Sequence, residues 1–491
     1  MMENHDAAYH AWRERGLRDR ILVHMDDHHD MWWIEGSEAL TIANYICPAI
    51  KENIVRQVHW IVPDPRWVDP KEKANIVRQV KRIVKGYPGR RPRVKVSGKD
   101  VSTTILGRPL TVGPLSSIPQ FEEDILLDID TDYLLGSPEH DKTKNAFTPP
   151  WCKPEEIIRR LKSHLVRTDL VTVAYSVEGG YTPLVWKFLG DEIAGRLKRS
   201  EDSLIEGFER LHNGVALIAA GERAKAEGAL LEADERIVNH AAPQFLLSEL
   251  YADDDRINAA RDAFRRAVAC DPSYRTAYRS GGLSSLQEKR YSDAQRAFQR
   301  GLTVDPENAV SYFGLGCLAA VNKQWKEAEH LLRKALELKG DFLDANRSLG
   351  DVLSKQHRYR EAISAYEKSL QLSLAGHKPL DIYIITETGR LKLVDRHHFD
   401  VFAHLGRLHA KIGEIDEAIN SFRFSIVGRN DKIRTRWDIA CLYAQRFEWR
   451  RCAEHLWKAL RLLPRASRVS AISAWRRLLR VKTRVFGTIL K

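Results

Sequence analysis

Cysteine is scarce in this sequence, and long apolar runs are absent. The six cysteines are scattered without a Cys-x-x-Cys pair, which argues against a zinc ribbon or a disulfide scaffold and favours a reducing compartment. No apolar run approaches the ~20 residues that a membrane-spanning helix needs. Residues 1–16 are too polar for a signal peptide. The sequence therefore predicts a cytoplasmic protein without membrane spans.

The charge balance is basic but unevenly distributed. The chain has 491 residues and a formal net charge of +12, and its length predicts two or more folding units. Basic proteins often bind nucleic acids or anionic surfaces, but no nucleic-acid reader motif is recognisable. Residues 1–200 hold 30 Lys/Arg and 28 Asp/Glu, whereas the remainder holds 48 and 38. The positive excess therefore belongs to the C-terminal part. Because no reader motif is recognisable, nucleic acid is not a predicted partner.

A repeat of 34 residues marks the C-terminal part of the sequence. Gly282, Gly316 and Gly350 keep this spacing, an alanine follows each glycine after 12 residues, and a large apolar residue comes four residues later. The spacing resembles the tetratricopeptide repeat, in which small residues allow two helices to cross closely. The register predicts seven helix pairs over residues 204–466, with an insert near 375–397 that is either a loop or a β-structured excursion.

Stacked repeats create a groove that either binds peptides or belongs to a passive scaffold, and the sequence leaves both interpretations open. The repeat register predicts six groove-facing side chains, namely Arg279, Phe313, Asp344, Arg347, Asp351 and Arg407. A basic segment follows at 467–491. It is either a capping helix or an element that binds an acidic leader peptide or an anionic surface.

Residues 1–203 have the alternating pattern of an α/β domain. Apolar runs at 21–25, 58–63, 103–107, 124–130 and 170–176 predict strands, and the segments 151–165 and 183–200 predict helices. Continuous apolar strands that alternate with helices are typical of a parallel sheet covered on both faces. In such sheets, binding sites form at the carboxyl ends of the strands.

Two groups of acidic residues stand at predicted strand ends. Asp26, His28 and Asp30 occupy alternate positions, so they share one face of an extended segment. Asp128 and Asp130 share a face at the end of a later strand. Neighbouring parallel strands would bring both groups together, where carboxylates repel one another unless a cation lies between them. Such a ligand set suits two divalent ions with bridging carboxylates.

These motifs resemble the ureohydrolase (arginase-like) superfamily. More specifically, Glu-Asn-His near the start, a strand leading into His-x-Asp-x-His-x-Asp, and a later Leu-Asp-Ile-Asp-Thr-Asp-Tyr-Leu are similar to the peptide arginases. The resemblance implies a ureohydrolase-like domain with two manganese (Mn²⁺) ions. It implies hydrolysis of arginine side chains in a ribosomally made precursor peptide to ornithine and urea. The repeat groove would then recruit the leader and core of that peptide.

The resemblance also implies a ligand set for the two ions. One ion would be held by His5, Asp26, Asp30 and Asp128, and the other by Asp26, His28, Asp128 and Asp130. Asp26 and Asp128 would therefore bridge the ions. The mixed imidazole and carboxylate set suits manganese, but ligand type alone leaves iron, cobalt and zinc open.

A guanidinium substrate needs a carboxylate that can hold it in a fork. Glu178 lies just past the last predicted strand, and by the resemblance it matches the guanidinium-binding glutamate of arginases. Gly179 and Gly180 would let the backbone approach the substrate closely. Glu178, Gly179 and Gly180 are therefore the predicted substrate-binding residues.

Arginases use a proton-shuttling histidine after the first aspartate group, yet residues 31–58 contain no histidine. His29, His59 and His140 are the available substitutes, and the sequence does not choose among them. Of these three, His29 lies within the first aspartate group itself. The predicted catalytic residues are therefore Glu178, His29 and Asp30.

Two other functions fit the same residues. One is a hydrolase of the same superfamily that acts on another guanidino or amide substrate. The other is an interaction scaffold that carries an inactive hydrolase domain. Metal content would separate the scaffold from the enzymes, and a comparison of free with peptidyl arginine would separate the two enzymes.

Overall fold

The computed structural model describes most of the chain. The described residues are 1–33, 40–87, 92–136, 147–164, 167–177, 181–198, 202–287, 289–375, 383–385, 391–393, 397–427 and 433–462. Four residues of the predicted site lie outside this set, namely His140, Glu178, Gly179 and Gly180. The basic segment 467–491 also lies outside it.

An α/β domain occupies the N-terminal part. Its elements are α1 (Asp6–Glu14), β1 (Arg20–Met25), α2 (Ile46–Lys51), β2 (Val55–Ile61), α3 (Asp64–Val68), α4 (Pro70–Gly86), β3 (Lys95–Val96), β4 (Val101–Ile105), β5 (Arg108–Gly113), β6 (Ile125–Asp130), α5 (Pro154–Ser163), β7 (Thr168–Ala174) and α6 (Phe188–Lys198). The predicted strands at 21–25, 124–130 and 170–176 correspond to β1, β6 and β7. The predicted helices at 151–165 and 183–200 contain α5 and α6.

The seven strands form one mixed sheet in the order β3-β4-β5-β2-β1-β6-β7. Strands β5, β2, β1, β6 and β7 are parallel, whereas β3 and β4 pair in antiparallel fashion at one edge. The prediction of a parallel sheet is therefore correct for five strands and wrong for the edge. Leu106 and Gly107 both have positive φ, 48° and 79°, as a tight two-residue hairpin turn requires. The predicted strand at 103–107 consequently ends at Ile105.

Both faces of the sheet are covered, and alternation along the strands decides which side chain faces which core. Leu22 and Trp60 belong to the core shared with α1, α2 and α4. Val23 and Ile61 belong to the opposite core, which includes α5 and α6. Successive strand residues point to opposite faces, so His24 shares the face of Leu22 and Trp60.

The C-terminal region is a helical solenoid of tetratricopeptide type. Its first ten helices are α7 (Asp202–Ala219), α8 (Arg223–Arg236), α9 (Ala241–Asp253), α10 (Ile257–Cys270), α11 (Ala277–Gln287), α12 (Tyr291–Val304), α13 (Ala309–Val321), α14 (Trp325–Leu338), α15 (Leu343–Lys355) and α16 (Tyr359–Leu374). Two short strands follow, β8 (Tyr383–Ile385) and β9 (Leu391–Leu393), which pair with each other. The last four helices are α17 (His397–Lys411), α18 (Ile415–Val427), α19 (Ile433–Gln445) and α20 (Trp449–Arg461).

The repeat glycines mark the points where the two helices of a pair cross. A Cβ atom at Gly214 would lie 2.6 Å from Leu230 Cδ2, and one at Gly316 would lie 2.9 Å from Leu332 Cγ. Real Cβ atoms do not approach other atoms so closely. A larger residue at these positions would force the facing leucine to move, so glycine suits the close packing of the helices. The repeat register read from the sequence is the register of the helix contacts.

The chain divides into two compact units. One comprises Met1–Ser311 with Tyr383–Lys392, and the other comprises Tyr312–Ile382 with Leu393–Lys491. Within the first unit, a partly buried ion pair and a buried hydrogen bond join the α/β domain to the first repeats. Lys187 Nζ lies 2.6 Å from Asp271, and Glu192 accepts a hydrogen bond of 2.7 Å from His212 Nε2.

Candidate metal centre

Histidine and aspartate side chains converge where β1 and β6 end. His24 and Asp128 are paired neighbours on these two adjacent strands, and Asp26 follows β1 directly. His5 joins them because the N-terminal segment runs beside β7. The amide of Met2 donates to Val173, and the amide of Tyr175 donates to Met2, both at 3.0 Å. A distant part of the chain therefore supplies one imidazole to the carboxyl edge of the sheet.

The first cluster consists of His5, His24, Asp26 and Asp30, whose side chains each offer one ligand atom within 4.8 Å of the others. His5 Nδ1 lies 3.4 Å from Asp26 Oδ2 and 3.3 Å from Asp30 Oδ2. All four residues are buried. Asp30 has a φ of 49°, a conformation that is uncommon outside glycine and that turns its carboxylate toward His5.

The second cluster consists of Asp26, His28 and Asp132, again with ligand atoms within 4.8 Å of one another. His28 Nδ1 lies 3.0 Å from Asp132 Oδ2 and 3.6 Å from Asp26 Oδ1. Asp26 thus belongs to both clusters, as a bridging carboxylate would. The side chain of His28 is 47% exposed, so the second cluster opens to solvent while the first is enclosed.

The three aspartates of β6 and the turn after it have different neighbours. Asp128 is fully buried and lies 3.1 Å from His24 Nδ1. Asp130 lies 3.7 Å from His5 Nδ1 and accepts a hydrogen bond from the hydroxyl of Ser176. Asp132 faces His28. All six predicted ligands therefore lie in one assembly, but the geometry places Asp132, rather than Asp128, beside His28.

Three buried atoms of this assembly make no hydrogen bond, namely His5 Nε2, His24 Nε2 and Asp26 Oδ2. His24 Nε2 lies 3.2 Å from Asp26 Oδ2, but the two atoms are not aligned for a hydrogen bond. A buried polar atom without a partner costs about 1–3 kcal/mol. Lone pairs that converge without donors are what a cation site requires, so this donor set fits a bound metal.

The pKa values reflect the density of charge. Burial, reinforced by the charge of Asp26, raises the pKa of Asp30 to about 6 and that of Asp132 to about 7. Burial also opposes ionisation of Asp26, but the neighbouring imidazoles of His24, His28 and His5 hold its pKa well below the usual range. The negative charge is thus balanced by imidazolium groups, and divalent cations would supply the same compensation.

The predicted proton-shuttle residues receive little geometric support. His29 is buried between Trp32 and Trp60, and its Nδ1 accepts the amide hydrogen of Met31 at 3.0 Å. Burial, followed by the charge of His28, lowers the pKa of His29 to about 3, far from the value that suits proton exchange near neutral pH.

His59 precedes Trp60 on β2 and therefore faces the core opposite the clusters. Its ring contacts Phe121, and burial lowers its pKa to about 4. Since His140 lies outside the described residues, the identity of a proton shuttle stays a prediction.

Sequence reasoning missed His24 and Tyr45 as members of the assembly, and Asp132 was not among the predicted ligands. The Tyr45 hydroxyl donates to Asp128 Oδ2 at 2.5 Å and lies 3.2 Å from His5 Nδ1. Asp132 continues the alternation of Asp128 and Asp130, so the sequence pattern indicates it as the next side chain on that face. Tyr45 carries no such signal, because it stands on the loop before α2 and only the tertiary fold brings it to β6.

Comparisons with known proteins support the C-terminal architecture. Family models described as tetratricopeptide repeats match residues 281–341 and 345–375. The C-terminal part therefore contains tetratricopeptide repeats, as the 34-residue spacing predicts. Such repeats are binding modules for peptides or proteins. No curated protein matches the chain.

Several solved structures resemble parts of the chain. A crystal structure of MamA has a TM-score of 0.30 at 20% identity and covers 37% of this chain and 92% of its own. PilF of Pseudomonas aeruginosa has a TM-score of 0.28 at 16% identity, with 50% and 100% covered. YrrB, described as a TPR protein with an unusual peptide-binding site, has a TM-score of 0.27 at 21% identity, with 42% and 95% covered. None of the described helices is long and apolar enough to cross a membrane.

Proposed function

We propose that this protein is a peptide arginase, a binuclear metal hydrolase that converts arginine side chains of a precursor peptide to ornithine and urea. The observation that carries the proposal is the pair of clusters joined at Asp26. Clustered carboxylates and imidazoles, buried at the ends of parallel strands and left with unpaired atoms, are chemically suited to divalent cations.

The geometry favours a revised ligand set. His5 and Asp30 would hold one cation, and His28 and Asp132 the other, while Asp26 and Asp130 would bridge them. In the predicted set, Asp128 bridges the two ions and Asp130 binds only the second ion. In the revised set, Asp130 would take the bridging role and Asp132 would bind only the second ion. Two divalent cations here, manganese (Mn²⁺) by the resemblance, would supply Lewis acidity and a nucleophilic water at neutral pH.

The entrance to the clusters suits a planar cation. His28 and Tyr181 meet edge to face with ring centroids 4.6 Å apart, and Tyr181 is 45% exposed. An aromatic ring beside buried carboxylates favours a guanidinium through cation–π contact and charge. Glu178 comes two residues after Ser176, which donates to Asp130, and it remains our proposed guanidinium ligand.

The repeats supply the second half of the proposal. A solenoid that binds peptides, on the same chain as an acidic site for a cationic side chain, suits a macromolecular substrate rather than free arginine. The repeats would hold the precursor peptide and raise the effective concentration of its arginines at the clusters.

The proposal is tested by incubating the Mn²⁺-loaded full chain with an arginine-containing precursor peptide. We expect release of urea and conversion of arginine to ornithine, measured by a urea assay and by mass spectrometry. Asp26→Asn should abolish turnover because both clusters lose their shared carboxylate. Asp27→Asn is the matched control, since the Asp27 side chain pairs with Arg66 instead. Absence of urea with every peptide encoded beside this chain would contradict the proposal.

Two other functions remain as outcomes of the same experiments. If free arginine or another guanidino or amide compound is hydrolysed faster than the peptide, the protein is a small-molecule hydrolase. The tetratricopeptide repeats also favour an interaction scaffold. In that case the purified chain would bind peptides but hold no cations. The Asp26→Asn substitution would then leave its metal content unchanged.

A further inference from the structure

His24 stands apart from the ligand set described above. It lies one residue before the end of β1, is fully buried, and belongs to the first cluster. We infer that His24 is a further protein ligand of the enclosed cation beside His5, and that Asp128 orients His24 rather than binding metal. This inference rests on the proposed function only in that the clusters are a metal centre.

One side of the His24 ring is fixed by hydrogen bonding. Nδ1 lies 3.1 Å from Asp128 Oδ2. The same carboxylate accepts hydrogen bonds from the hydroxyls of Tyr45 and Thr172. A carboxylate that receives three donors stays ionised and holds the proton of the imidazole on Nδ1. Where a divalent cation replaces the second proton of this imidazolium, Nε2 would carry the lone pair, which is the arrangement of a histidine ligand backed by a carboxylate.

The other side of the ring points into the first cluster. His24 Nε2 lies 3.2 Å from Asp26 Oδ2, and neither atom makes a hydrogen bond. His5 Nε2 is likewise buried without a partner. The same ring therefore has one nitrogen satisfied by a carboxylate and one left open toward the metal centre. A histidine that served only as packing would not need Asp128, Tyr45 and Thr172 behind it.

The inference changes the chemistry of the two positions. The enclosed cation would have two imidazoles and the carboxylates of Asp26, Asp30 and Asp130, whereas the outer cation would have one imidazole, that of His28. Imidazole ligands favour cobalt, iron and zinc over manganese. The enclosed position should therefore prefer a later transition metal, and the outer position should remain the better one for manganese.

The test is a titration of the metal-free full chain with Co²⁺, followed by calorimetry and by the visible absorption of bound cobalt. We expect two ions in the wild type and a loss of affinity of at least about 10-fold at one position in His24→Asn and in Asp128→Asn. The matched control is His59→Asn, a buried histidine on the opposite face of the same sheet. It should leave both affinities and the spectrum unchanged.

A second measurement needs no variant and is independent of folding. Pulsed electron paramagnetic resonance of the wild type with one bound Cu²⁺ per chain, a later transition metal that the enclosed position should prefer, counts the coordinated imidazole nitrogens. Two imidazoles on the enclosed ion support the inference. A single imidazole, or a folded His24→Asn with unchanged affinities and spectrum, overturns it while leaving the metal hydrolase intact. A wild type that binds no cation overturns both proposals.

Discussion

At the scale of single residues, Tyr45 contacts three members of the buried assembly. Its hydroxyl lies 2.5 Å from Asp128 and within 3.3 Å of the Nδ1 atoms of His5 and His24, while its ring packs against Trp12. Burial, followed by the charge of Asp128, raises the pKa of Tyr45 well above its ordinary value. The phenol therefore stays protonated and acts as a donor to Asp128.

We expect Tyr45→Phe to destabilise the protein by about 1–3 kcal/mol, because Asp128 loses a donor while the ring packing is kept. Urea denaturation of the metal-free protein measures this change. Tyr9→Phe is the control, since the Tyr9 hydroxyl donates to Glu52 near the surface and should contribute no more than about 0.5 kcal/mol. Equal stability of the two variants would show that Tyr45 does not support Asp128.

The aspartates of β6 show how far residue-level reasoning reaches. Alternate spacing predicts that Asp128 and Asp130 share a face, but it cannot decide where along that face the imidazoles lie. The pairing of His24 with Asp128 places both inside the sheet, and His28 reaches Asp132 beyond the strand end. The choice depends on the register between β1 and β6, which is set by packing of two strands far apart in sequence.

At the scale of elements, the repeat helices depend on which glycines lie at a crossing. Gly214 in α7 faces Leu230 of α8, whereas Gly228 in α8 is exposed, and a Cβ atom added there would meet nothing within 4 Å. The same residue type therefore serves two different purposes in one helix pair. At Gly214 it permits contact between helices, and at Gly228 it only lowers helix propensity.

We expect Gly214→Ala to destabilise the protein by about 1–3 kcal/mol, because the added methyl group collides with Leu230. Gly228→Ala in the same helix pair should instead stabilise it by up to about 1 kcal/mol through helix propensity. Thermal or urea denaturation of the full chain measures both. The assignment of the crossing would be wrong if the two substitutions changed stability in the same direction.

At the scale of the whole molecule, the acidic clusters and the net positive charge lie in different parts of the chain. The α/β part places a group of carboxylates at the ends of β1 and β6, although residues 1–200 are nearly neutral. The net charge of +10 in residues 201–491, together with the tetratricopeptide repeats, supports our proposal that the chain recruits a precursor peptide, and it favours a peptide with an acidic leader.

We expect the KM for a precursor peptide with an acidic leader to rise with ionic strength, while kcat stays nearly constant. The physical reason is screening, since the Debye length falls from about 30 Å at 0.01 M to about 8 Å at 0.15 M salt. Steady-state kinetics at the two ionic strengths measure the effect. A peptide whose leader carries no acidic residues is the control, and a salt-independent KM for the acidic leader would exclude electrostatic recruitment.

Local sequence determined the periodic features of this protein. The 34-residue spacing reproduces the helix contacts, because each glycine is dictated by a neighbour sixteen residues away in the same repeat. The apolar runs of β1, β6 and β7 likewise follow from burial of both sheet faces. These features were predictable because their causes lie within a short stretch of chain.

Only the tertiary structure decided the rest. The hexapeptide Asn-Ile-Val-Arg-Gln-Val occurs at 53–58, where it enters β2, and again at 75–80, where it lies within α4. The same six residues adopt different secondary structures because β2 pairs with β1 and β5, whereas α4 begins after the N-cap Asp69 and packs against the sheet. The candidate metal centre likewise depends on the tertiary structure. The sequence determined which imidazoles and carboxylates were available, and the long-range pairing of strands determined which of them meet.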